Sequence, residues 1–139
     1  MMMKSVVGML GLFALSISSA QAQSQVVVTP VTKADVTVSG QPIALPTDNP
    51  EVTVSVYEIP PGAKLSQHRH QYPRYGYVLS GKLRVTNMDT GSVTDLGVGG
   101  FIVEALGQWH YGENPGTEAL KLLVIDQAPK GVVNMEPKK

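Results

Sequence analysis

From Glu51 to Tyr57 polar and apolar residues alternate strictly, with Val52, Val54 and Val56 on one face, and the run stops at Pro60-Pro61-Gly62. A period of two is that of a β-strand, in which successive side chains point to opposite faces. Further strand-like runs cover residues 74–80, 82–88, 101–106 and 117–126. Turn-forming residues separate them: Ser80-Gly81, Asp89-Thr90-Gly91, Gly99-Gly100 and Asn114-Pro115-Gly116. No stretch carries the period of an amphipathic helix. Short strands at regular spacing predict an all-β sandwich or barrel.

The ends of the chain read differently. Lys4 precedes an apolar run over residues 6–17, and Ser18-Ser19-Ala20-Gln21-Ala22 has the small-x-small form of an export cleavage site. The run falls short of the about 20 residues that a membrane helix needs, so residues 1–22 are expected to be a signal peptide and the mature chain to be exported, in a bacterium to the periplasm. Residues 23–50 form an N-terminal extension with strand candidates at 26–31 and 35–38, although Pro30, Pro42, Pro46 and Pro50 make central strands unfavourable there. Residues 51–127 form the body of the domain. Residues 128–139, with Pro129, Pro137 and two terminal lysines, are expected to be a mobile tail.

Charge and cysteine content narrow the class. Eleven basic residues balance eleven acidic ones, and loss of the leader removes only Lys4, so no field favours nucleic acid or anionic lipid. There is no cysteine, which excludes disulfides and thiolate ligands together. No glycine-rich dinucleotide fingerprint is present.

The three histidines of the chain fall in two short segments. His68 and His70 are two apart in a strand-like context, so both imidazoles point to one sheet face, and His110 must reach them from another strand. Imidazole is the commonest protein ligand of a transition metal, and this pattern is that of one metal site.

The segments read Gly62-x5-His68-x-His70-x3-Arg74-x6-Gly81 and Gly99-x5-Ala105-x-Gly107-x2-His110-x3-Asn114. They resemble the two motifs of the cupin superfamily, Gly-x5-His-x-His-x(3,4)-Glu-x6-Gly and Gly-x5-Pro-x-Gly-x2-His-x3-Asn, with every spacing kept over residues 51–127. The resemblance implies a small antiparallel β-barrel of the double-stranded β-helix, jelly-roll type, a metal held by His68, His70 and His110 near one mouth, and a homodimer formed through an edge strand or the N-terminal arm. Two positions depart from the family pattern. Ala105 replaces a proline, and Arg74 stands where the family places its ligating glutamate.

A guanidinium stays protonated and has no lone pair to offer, so Arg74 cannot ligate. Three readings are open for it: a fork that grips a carboxylate or enolate substrate beside the metal, a replacement of the metal in a pocket for anions, or a salt bridge to Glu104 or Glu113. On the first reading three neutral imidazoles hold the ion, in the manner of the three-histidine cupin dioxygenases. Tyr75 and Tyr77 alternate with Arg74, so they point out of the barrel if Arg74 points in. Tyr72, Trp109, Tyr111 and Phe101 either wall the pocket or fill the core and a dimer surface. Gln108 is a candidate hydrogen-bonding group near the ion.

Two classes of function remain. One is a mononuclear dioxygenase that needs no nicotinamide or flavin and acts on a small anionic or carbonyl substrate, with a metal-assisted isomerase or lyase chemically adjacent. The other is a non-catalytic cupin module that binds a metal or small molecule. The ligand set admits iron, manganese, nickel, copper or zinc.

Overall fold

The computed structural model describes residues 24–139, and the expected signal peptide lies outside them. Among the described residues nine strands are present: β1 (Pro50–Ile59), β2 (His68–Arg69), β3 (Arg74–Ser80), β4 (Leu83–Asn87), β5 (Val93–Leu96), β6 (Phe101–Val103), β7 (His110–Glu113), β8 (Leu120–Pro129) and β9 (Glu136–Pro137). They form two antiparallel sheets in the orders β1-β8-β3-β6 and β5-β4-β7-β2-β9. The architecture is the expected all-β one, but the sheets share no strand and do not close into a hydrogen-bonded barrel. No helix among the described residues is long and apolar enough to cross a membrane.

Alternation decides what lies between the sheets. In β3 Gly76 and Val78 are buried while Tyr75 and Tyr77 are half-exposed, in β4 Leu83 and Val85 are buried, and in β8 Leu120, Leu122 and Val124 are. Together with Ile59 and Ile102 the aliphatic members of this set make one core cluster. Gly76 leaves room for it, since a Cβ there would lie 3.1 Å from Ile102 and 3.4 Å from Leu122. At Gly81 the backbone itself requires glycine. Its φ of +77° turns the chain from β3 into β4, and a Cβ would meet the Ala119 carbonyl oxygen at 2.9 Å.

Two expectations need correction. The strand candidates of the N-terminal extension do not form, and only an isolated bridge between Val36 and Pro42 appears. The prolines remove the donors a ladder needs. The C-terminal tail is not free, because β9 pairs with β2 in the registers His68↔Pro137 and Arg69↔Glu136. In β1 the three valines share one face as expected; it is the outer one, Tyr57 and Ile59 turning inward and Val52, Val54 and Val56 staying between 52% and 59% exposed.

Leu120 is fully buried at the centre of the core. Leu120→Ala is expected to cost about 2–5 kcal/mol of unfolding free energy through the cavity it leaves. Urea titration of metal-free protein checks this.

Candidate metal centre

Short elements bring the histidines together. His68 on β2 lies in register with His110 on β7, and His70, one alternation step further, bridges to Leu106. The three ring centroids lie 4.7–4.9 Å apart with interplanar angles of 57–62°, close to a threefold arrangement. All three rings are buried.

The orientation of each ring is set by its own main-chain acceptor. Nδ1 of His68 donates to the Ser66 carbonyl at 2.7 Å, that of His70 to Asn134 at 2.6 Å and that of His110 to Gln108 at 2.8 Å. A proton held on Nδ1 leaves the lone pair on Nε2, and a metal-ligating histidine is oriented this way. The Gln108 side chain does not reach the centre: its Oε1 accepts from Asn87 Nδ2 at 2.8 Å, and the residue acts through its carbonyl on His110.

A fourth group completes the cluster, and it is a carboxylate. Glu104 follows β6 on the inward alternation begun by Ile102, and its Oε2 lies 2.8 Å from His70 Nε2 and 3.2 Å from His110 Nε2. The ligand atoms of His68, His70, Glu104 and His110 all fall within 4.8 Å of one another. The short approach to His70 lacks hydrogen-bond geometry, so His70 Nε2 is a buried polar atom with no partner. An orphaned lone pair beside a buried carboxylate fits a cation. The expectation of neutral ligands only is therefore corrected: His68, His70, His110 and Glu104 would hold the ion, with three imidazoles and one negative oxygen.

Arg74 lies on the inner face, 5% exposed, and its fork closes on Asp126, with Nε to Oδ1 and Nη2 to Oδ2 both at 2.8 Å. The ion pair that the sequence suggested is made with neither Glu104 nor Glu113, the latter pairing with Lys64 at 2.8 Å. Two of its five N–H donors are committed in this way, and the Nη1–Nη2 end of the guanidinium is not engaged by Asp126. Tyr75 and Tyr77 lie on the outer face beneath Val31 and Ile43, as their alternation with Arg74 required. Trp109 lies outside the centre, with the Arg69 guanidinium 4.7 Å and the Lys138 ammonium 5.7 Å from its ring.

Protonation follows from burial and charge. Burial pushes His68 down to about 4, which keeps it neutral. For His110 burial also opposes the charged form, but the hydrogen bond and negative charge of Glu104 outweigh it and raise the pKa. Burial would raise the Glu104 carboxyl, yet the hydrogen bond from His110 and the close approach of His70 hold it well below the usual carboxylate range. Beside the cluster the space lined by Tyr57, Leu65, His68, Arg74, Glu104 and His110 amounts to about 10 Å³, room for one water molecule at most.

A profile of the cupin domain matches residues 55–126, just over half of the chain, and that stretch carries all four ligands. The chain belongs to the cupin family. Among solved structures it is similar to an uncharacterized conserved protein with a double-stranded β-helix domain from Klebsiella pneumoniae, at 22% identity and a TM-score of 0.53 over 70% of this chain and 90% of that one. A polyketide cyclase from Streptomyces resistomycificus aligns at 19% identity and a TM-score of 0.54, covering 67% of this cupin and 65% of the cyclase. A structure concerned with the Mn(II) centers of Bacillus subtilis oxalate decarboxylase aligns at 26% identity and a TM-score of 0.51 over 60% of this chain. The cupin spans about a quarter of that enzyme, 23%. No curated protein sequence matches.

Glu104 is the candidate ligand that sequence spacing did not flag. Its signal was present in the alternation of Phe101-Ile102-Val103-Glu104, where an inward Ile102 makes Glu104 inward too. Because a proton shared by His110 and Glu104 must leave when a cation enters, metal binding is expected to release protons, more of them as pH falls toward the raised pKa of His110. Affinity then falls as pH drops through the raised pKa of His110, while His68 adds no dependence until about 4. Calorimetry in buffers of different ionisation enthalpy measures the proton count.

Proposed function

We propose that this cupin is an exported mononuclear metalloenzyme of the dioxygenase class, acting on a small anionic or carbonyl substrate. The observation that carries the reading is the convergence of three Nδ1-anchored imidazoles and the Glu104 carboxylate on the orphaned His70 Nε2. A divalent ion bound there would polarise a substrate oxygen and bring substrate and dioxygen together. The absence of a dinucleotide fingerprint supports chemistry that draws electrons from the substrate itself. The carboxylate shifts preference toward iron or manganese relative to an all-imidazole set. Manganese also occurs in the similar oxalate decarboxylase structure. Export rests on residues 1–22 alone.

A second reading is favoured by one specific observation. Four protein ligands satisfy a tetrahedral zinc ion completely, and a closed, buried four-ligand site is the form that structural zinc takes. Six-coordinate iron, manganese or nickel would keep two positions open in the same cluster. Metal identity therefore separates an enzyme from a binding module.

Elemental analysis of untagged protein from the periplasmic fraction should find about one equivalent of metal, and a His68→Ala/His110→Ala variant less than about a tenth of that. Equal metal content in the two would end the proposal. Oxygen uptake with small enolates, thiols and oxyacids is expected from iron- or manganese-loaded protein. Silence with every loaded metal would leave the binding module.

A further inference from the structure

The three imidazoles are not anchored alike. Ser66 and Gln108 lie two residues from the histidines they hold, so those acceptors come with the strand itself. His70 depends instead on Asn134, 64 positions away and beyond the cupin match that ends at residue 126. Asn134 is buried and held on three sides: Nδ2 donates to the Tyr72 carbonyl and to Asp126 Oδ1, both at 2.9 Å, and Oδ1 accepts from the Tyr72 amide at 3.0 Å. Asp126 Oδ1 is the same atom that receives Arg74 Nε. Farther along, the Arg69–Glu136 fork and the β9 pairing fasten the segment to the strand that carries His68.

We propose that the C-terminal segment is a latch on the metal centre, with Asn134 as a positioning residue that fixes the tautomer and direction of His70. Arg74 acts on the centre through it. Fixing Asp126, Arg74 places the acceptor that orients Asn134, whose carbonyl commits His70 Nδ1 and turns Nε2 toward Glu104. The arginine thus serves the ion from a distance rather than by contact. This rests on the metal reading for its consequence, though not for its geometry.

The ¹⁵N resonances of the three imidazoles in metal-free protein read the latch directly. In Asn134→Ala the His70 signal should move from a single Nδ1-protonated tautomer to a mixture, with His68 and His110 unchanged, and zinc affinity should fall by about 10- to 100-fold. Asp126→Asn, which keeps the fold's buried volume, should shift the same His70 signal if Asn134→Ala does not fold. An unmoved His70 tautomer in the folded variant overturns the proposal. If His70 responds but neither wild type nor variant binds any metal, the latch stands and the metal reading alone fails.

Discussion

The hydrogen bond from each imidazole Nδ1 to a main-chain carbonyl is the interaction on which the chemistry of this protein depends. It commits Nδ1 of all three rings and aims their Nε2 atoms into a single buried volume. Without it, rings at the same positions would rotate, pair through either nitrogen with Glu104, and present no common centre. The β-sheet makes the commitment inexpensive. Two of the three acceptors lie two residues from their histidines and so follow from strand geometry, and a buried main-chain carbonyl needs a donor in any case.

The inner row that runs across β6, β3 and β8 shows how the chain accommodates an arginine beside a cation. Glu104, Arg74 and Asp126 follow one another across neighbouring strands, the Glu104 amide bonding to the Arg74 carbonyl and Arg74 standing in register with Asp126. The family motif places a carboxylate where Arg74 stands. Here that carboxylate is one strand over, at Glu104, still in contact with two of the imidazoles. Asp126 on the far side then draws the guanidinium away from the centre and balances its charge. Carboxylate, guanidinium and carboxylate alternate along the row, so the buried charges are paired as burial requires.

Enclosure gives the site its selectivity. All four candidate ligands are buried and little room is left beside them, so the number of positions the ion keeps for other molecules depends on its preferred coordination more than on the protein. The two termini tighten this enclosure. Gln41 in the N-terminal extension clamps the loop between Glu104 and His110 through both the amide and the carbonyl of Leu106, at 2.9 and 2.7 Å. Asn134 does the corresponding work at His70 from the C-terminal side. Segments that look like trimmings around the domain therefore hold the loops on which the ligands sit.

Strand periodicity and turn residues were legible in the chain, and they located β1, β3, β4, β6 and β8 to within a few residues. The histidine spacing was equally plain, because a period of two forces His68 and His70 onto one face and the motif distances leave His110 as their partner. β5 and β9 were not legible, being too short or too polar to show a period, and the prolines of the extension suppressed strands that its valines suggested. The direction in which Arg74 turns, the arrival of Glu104 and the hold of Asn134 on His70 were decided by tertiary structure. Each depends on which strands become neighbours and in what register, and pairing between distant segments is a property of the assembled sheets that no local window of residues contains.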